Sequence, residues 1–242
     1  MNTRQIDIFN YKRRSTVEVN IGGVTVSGKH PIKVQSMTNT GTMDTEGSVE
    51  QVMRIVDKGG ELVRLTTQGN REAVNLSNIK EQLVARGYRV PLVADVHFNA
   101  AVADTAARYA DKVRVNPGNY VDTARTFKHI DYTDAEYAEE LKRLRERFVA
   151  FLDICKAEGK AVRVGVNHGS LSDRIMSRYG DTPEGMVESG MECLRVAVAE
   201  DFKDIVLSIK ASNTRVMVTT VRLLVWQMAE ENMAFPLHLG VT

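Results

Sequence analysis

The chain has 242 residues, 43% of them apolar, and its 32 lysines and arginines nearly balance 31 aspartates and glutamates, for a formal net charge of +1. That length suits one large barrel or two small domains, and the balance gives no whole-chain field for nucleic acid or a membrane surface. No apolar run reaches spanning length, Met1 to Arg14 lacks the hydrophobic centre of a signal peptide, and Cys155 and Cys193 lie far apart in helical patterns, so we expect buried reduced thiols and the cytoplasm.

In chain order, a polar arm to Arg14, with Lys12-Arg13-Arg14, reads as a solvated tail. Residues 15–28 alternate polar and apolar around Gly22-Gly23, a hairpin expected to cap one end of the domain. Strands and helices then alternate. A strand at Ile32 to Met37 leads to a helix capped by Asp44 and ended near Lys58 by Gly59-Gly60. Glu61 to Thr66 is a strand, followed by a helix over Arg71 to Arg86 whose Val74, Ile79, Leu83 and Val84 are expected to face the core. Pro91 to Val96 precedes a helix over Ala100 to Ala110, and Lys112 to Tyr120 opens with a fourth strand. About thirty residues intervene before the next strand, longer than usual, and there Thr133 and Glu136 form a capping box ahead of the stripe Tyr137, Leu141, Leu144, Phe148, Leu152. Ala161 to Val166 is a strand and the run after it, NHGSLSDRIMSRYGD, reads as a loop. A helix from Pro183 to Glu200, a strand ending at Lys210, a helix over Asn213 to Glu231 and a seventh strand at Pro236 to Gly240 complete the pattern.

Seven alternations with nearly continuous apolar strands indicate a parallel sheet wrapped by helices, and polar residues spread over many strands favour a TIM-type (β/α)8 barrel over a doubly wound sheet. An eighth strand is missing, so we expect an incomplete barrel, residues 1–242 forming one domain, with open edges that invite self-association.

Alternation also sorts the site. In each strand one face is apolar and the other carries Arg64, Asp95 with His97, Arg114 with Asn116, Arg163 with Asn167, or Ser208 with Lys210. Arg64, Arg114, Arg163 and Lys210 are expected to converge at the barrel mouth with Asp95 alone to offset them. A buried unpaired charge costs several kcal/mol, so an anion should complete the set. The planar forks of arginine favour a diphosphate or bisphosphate over one carboxylate, and backbone amides in 116–119 and 167–170 are expected to add donors. The competing interpretation is a ring of internal salt bridges, with Asp95 only orienting Arg114. His97, His168 and His238 are weaker candidates, and neither zinc-ligand spacing nor a Ser-His-Asp set can be argued.

The strings VQSMTNT, PLVADVHF, VRVNPGN, VRVGVNHGSL, SIKAS and PLHLGVT, in this order, resemble the 4-hydroxy-3-methylbut-2-enyl diphosphate synthase family, in its long form with an inserted domain. The resemblance implies reductive ring opening of 2-C-methyl-D-erythritol 2,4-cyclodiphosphate in isoprenoid biosynthesis, with electrons from ferredoxin or flavodoxin through a [4Fe-4S] cluster. It also implies that Arg64, Arg114, Arg163 and Lys210 hold the diphosphate while Asp95, Asn116 and Asn167 line the pocket. The family's glutamate after HLGVT, its inserted domain and its cluster domain have no counterpart, and neither cysteine matches a cluster ligand. The expectation is therefore a substrate-binding barrel piece, without cofactor or metal, inactive alone. A pterin-type barrel transferase such as dihydropteroate synthase, and a non-catalytic scaffold, are the alternatives.

Overall fold

The computed structural model describes residues 12–97, 99–121 and 131–241. Two antiparallel strands, β1 (Val19–Ile21) and β2 (Val24–Val26), form a separate hairpin. Gly22 and Gly23 take φ of 56° and 94°, the left-handed pair that a two-residue hairpin turn demands.

The main body alternates β3 (Gln35–Met37), α1 (Thr45–Asp57), β4 (Leu62–Thr67), α2 (Asn70–Ala85), β5 (Leu92–Val96), α3 (Ala100–Ala106) and β6 (Lys112–Val115). A short 3-10 turn (Pro117–Asn119) follows, then α4 (Asp134–Glu158), β7 (Ala161–Asn167), α5 (Asp173–Tyr179), α6 (Pro183–Ala199), β8 (Ile205–Ala211), α7 (Thr214–Glu230) and β9 (Leu237–Val241). Strands β3 to β9 pair in sequence order, every pair parallel. The sheet curls: Lys112 Nζ on β6 donates to Gln35 Oε1 on β3 at 3.3 Å, across two intervening strands.

Side chains from the outer strand faces, among them Val63, Leu65, Val113, Val162, Val164, Leu207 and Ile209, pack under the helices in one apolar core. A second cluster joins Val19 and Ile21 of the hairpin to Leu62, Ala161 and Val206, at the beginnings of β4, β7 and β8. The hairpin thus caps the amino-terminal end of the barrel, as its isolation in sequence suggested.

The Asp44 and Thr133 caps form, the latter as a reciprocal capping box with Glu136, and Gly159 ends α4 in the left-handed conformation. Several boundaries differ from the sequence expectation. β3 is only three residues, because Ile32 and Val34 are 83% and 54% exposed rather than laid into the sheet. In α2 the core face is Ala73, Leu76, Ile79 and Leu83, while Val74 and Val84 point outward at 44% and 46% exposure, one step off the buried stripe. The run after β7 is not all loop, since Ser172 caps α5 through the amide of Ile175. Arg13 and Arg14 are not a solvated tail: Arg13 donates to the carbonyls of His30 and Ser27, and Arg14 to that of Phe235. Among the described residues no helix is long and apolar enough to cross a membrane.

Candidate functional site

With the apolar strand residues turned to the helices, period two sends the remaining side chains inward. Three guanidinium groups arrive from β4, β6 and β7 around one carboxylate on β5. Arg64 Nε lies 3.4 Å from Asp95 Oδ2, and Arg114 Nη1 and Arg163 Nη2 each lie 3.6 Å from Asp95 Oδ1. His97 Nε2 is 3.2 Å from Asp95 Oδ2. The side chains of Asp95, Arg114 and Arg163 are 5%, 7% and 4% exposed, against 25% for Arg64, so Arg64 forms the accessible wall and the other two the depth.

One carboxylate stands against three guanidinium groups, and the hydrogen bonding among them is incomplete as well. The Arg–Asp95 separations exceed the range of a good N–H···O bond, and Asp95 Oδ1, Arg114 Nε and Arg163 Nε have no hydrogen-bond partner. Arg114 Nη2 donates to the Gly165 carbonyl at 3.1 Å, and Arg64 turns its Nε and Nη2 to the Met37 sulfur at 3.2 and 2.9 Å. Gly165 makes room for this arrangement: a Cβ there would lie 2.4 Å from Arg114 Nε. No strand-propensity argument marks that glycine; its signal is its place on the inward face between Arg163 and Asn167, opposite the valines that face the helices.

Burial alone would raise the Asp95 carboxyl, but the His97 hydrogen bond and the Arg114, Arg64 and Arg163 charges outweigh it and hold it at about 2. Burial lowers the Arg163 guanidinium to about 9, opposed by Asp95 and reinforced by Arg64 and Arg114. Two further interior groups were underweighted in sequence. Lys112 is 3% exposed, and burial with the Arg163 and Arg64 charges lowers it to about 7. His238 on β9 is lowered to about 3 by burial and by Arg163, Lys112 and Arg64. Lys112 lies two residues before Arg114 on β6, and His238 is in register with Ser208 on β8.

Lys210 does not join the buried cluster. It is exposed, in register with the half-buried Asn167, one step nearer the carboxyl-terminal rim. Asn116 is buried, but its Oδ1 accepts from the Gly118 amide at 3.1 Å and its Nδ2 donates to Ser170 Oγ at 3.1 Å, so it braces two loops. The expected nests do not offer free donors. Gly118 N is bound to Asn116 Oδ1, Asn119 N to Asn116 O, His168 N to Lys210 O, Gly169 N to Asp181 Oδ1 and Ser170 N to Asn167 O.

Behind the rim lies a second buried polar group. Arg174 on α5 pairs with Glu192 on α6, and Tyr137 on α4 donates to the same Glu192 Oε1 at 2.6 Å. Arg174 and Arg178 also stack over the Tyr137 ring, 5.0 and 4.0 Å from its centroid. Among the described residues no group of three or more His, Cys, Asp or Glu could hold a metal ion. Cys155 and Cys193 are buried and form no disulfide, and burial pushes the Cys155 thiol up, away from the thiolate a metal or cluster needs.

Residues 16–242 match the family described as the GcpE TIM-barrel domain. The chain is 69% identical over 237 residues to 4-hydroxy-3-methylbut-2-en-1-yl diphosphate synthase (flavodoxin) of Bacteroides thetaiotaomicron, covering 98% of this chain and 39% of that protein. It is 49% identical to the protein of the same name from Protochlamydia amoebophila, covering 97% of this chain and 36% of that one. The chain therefore spans well under half the length of these relatives. In fold alone it is similar to a truncated 3-deoxy-D-arabino-heptulosonate 7-phosphate synthase from Thermotoga maritima, with a TM-score of 0.53 at 12% identity, covering 93% of this chain and 69% of that one. The 7,8-dihydropteroate synthase of Vibrio fischeri gives a TM-score of 0.51 at 13% identity, covering 93% and 78%.

Proposed function

Because the chain belongs to the family of the GcpE TIM-barrel domain, we propose that its barrel interior holds 2-C-methyl-D-erythritol 2,4-cyclodiphosphate for reductive ring opening by the 4-hydroxy-3-methylbut-2-enyl diphosphate synthase of isoprenoid biosynthesis. The observation that carries this reading is the imbalance inside the barrel. Arg64, Arg114 and Arg163 face the single carboxylate Asp95, three charges against one, and two buried Nε donors have no acceptor. A diphosphate supplies the missing negative charge and acceptors for the accessible Arg64.

In this reading Arg64 contacts phosphate directly, Lys210 and Asn167 steer it over the rim, and Arg114 and Arg163 supply a fixed field from below. Asp95, ionised at neutral pH, repels phosphate and accepts from a substrate hydroxyl, which sets the ligand's orientation. Asn116 serves by bracing the β6 and β7 loops. The two electrons of the reaction come from flavodoxin, named in the relatives, or ferredoxin, through a [4Fe-4S] cluster. The described residues do not fit that cluster, so no step of the reduction is assigned to them. Its two buried cysteines, not joined in a disulfide, suit a reducing compartment such as the cytoplasm.

The test is calorimetric titration and thermal shift with the cyclodiphosphate beside pterin diphosphate. At 100 times its dissociation constant the cyclodiphosphate should add about 2.7 kcal/mol of stability. Arg64→Ala should weaken it about 10- to 100-fold, the loss of a charge-assisted bond of about 1.5–3 kcal/mol. Equal binding of the pterin compound, or an Arg64→Ala protein with unchanged affinity, refutes the reading.

A further inference from the structure

We propose that Lys112 is the proton acceptor of this site: a diphosphate entering the barrel brings one proton from solvent onto Lys112 Nζ, so that binding and protonation are one event. This deepens the reading above and rests on it. The geometry comes first. Lys112 leaves β6 at the level of Val93 and Ala161, crosses the interior and ends on the neutral Gln35 side chain of β3. The groups facing it from the surrounding strands are Arg64 on β4, Asp95 on β5, Arg163 on β7 and His238 on β9, with Arg114 on its own strand and the uncharged Gln35 and Met37 on β3. Among the described residues Asp95 is the one carboxylate on this inward face, and three guanidiniums already share it. Lys112 therefore has a dipole for a partner and cations for neighbours, in a place nearly sealed from water.

Under those conditions an ammonium is held weakly, and the burial and the Arg163 and Arg64 charges that lower Lys112 act together. An anion lodged among the same guanidiniums reverses that field. Linkage then requires that whatever raises proton affinity at Lys112 on binding must also make binding stronger when the proton is available. The ligand contributes no proton of its own, since each phosphorus of a cyclic diphosphate carries one strongly acidic hydroxyl and no second one. Protonation of Lys112 delivers a positive charge to the floor of the site when it is needed, and its absence in the empty barrel relieves a fourth buried cation.

The experiment is titration of the whole chain with 2-C-methyl-D-erythritol 2,4-cyclodiphosphate near pH 8 in two buffers of different ionisation enthalpy. Proton uptake makes the observed heats differ in proportion to the buffers' enthalpies, and affinity should fall by up to about tenfold per pH unit as pH rises above 7. Lys112→Met should remove both effects, and His238→Asn should leave both. Binding with buffer-independent heat overturns the inference while leaving the anion site standing, and needs no variant to show it. Uptake that survives Lys112→Met and vanishes in His238→Asn places the proton on the histidine and overturns it too. No binding at all removes the anion site and this inference together.

Discussion

Asp95 is the residue on which the interior turns. Its carboxyl sits at about 2 in the fold and near 3.9 in an unfolded chain, so the sign is that of a depressed acid: the stabilisation is present above pH 4 and is lost as pH falls towards 2. Asp95→Asn leaves three guanidiniums without a counter-charge and should destabilise the fold by about 3–5 kcal/mol at pH 7 in urea titrations. That difference should shrink as the titration is repeated towards pH 2; a gap independent of pH assigns Asp95 a purely steric role. Lys112 has the same sign in a higher window: between about 7 and its ordinary value the unfolded chain binds a proton that the folded one has shed, and stability rises with pH there, here because burial and neighbouring cations penalise the ammonium. Residue by residue, the inward cations were legible as a matter of phase: Arg64, Arg114 and Arg163 each interrupt an apolar strand at alternate positions. What phase leaves open is depth. It groups Lys210 with the arginines although that side chain ends at the rim, and it passes over Lys112, whose place at a strand start reads as solvated until the curl of the sheet brings Gln35 opposite.

At the level of elements, most of the strand and helix alternation was readable because caps and apolar periodicity agree at Asp44, Thr133 and Pro183. The helix α5 was not, since its seven residues carry more polar than apolar side chains and its cap Ser172 sits in a run rich in turn formers. It is held instead by the buried contact of Arg174 with Glu192 and Tyr137, which no local pattern announces. Burial pushes the Glu192 carboxyl up against the pull of Arg174 and the Tyr137 hydroxyl. Glu192→Gln strands the Arg174 charge and should cost about 3–5 kcal/mol, whereas Tyr137→Phe removes one donor from an intact pair and should cost about 1–2 kcal/mol. Chemical denaturation of both variants checks the order, and equal losses contradict a charge-dominated contact.

For the whole molecule, the seven-stranded sheet has two outer strands, β3 and β9, and the exposed apolar residues Ile32, Val34 and Leu239 lie on or beside them. Unpaired strand edges of this kind recruit other strands. We expect the chain to associate as its concentration rises, and Val34→Lys with Leu239→Lys to suppress that association in sedimentation velocity; a wild-type protein that stays monomeric throughout contradicts it.

The hairpin gives the interior its directionality. Val19 and Ile21 cover one end with hydrocarbon, packed on Leu62, Ala161 and Val206, so the two ends of the interior are not equivalent. The end left uncovered is the carboxyl-terminal rim, where Asn167 and Lys210 stand, so a molecule approaching along the axis meets a polar lip before the buried arginines.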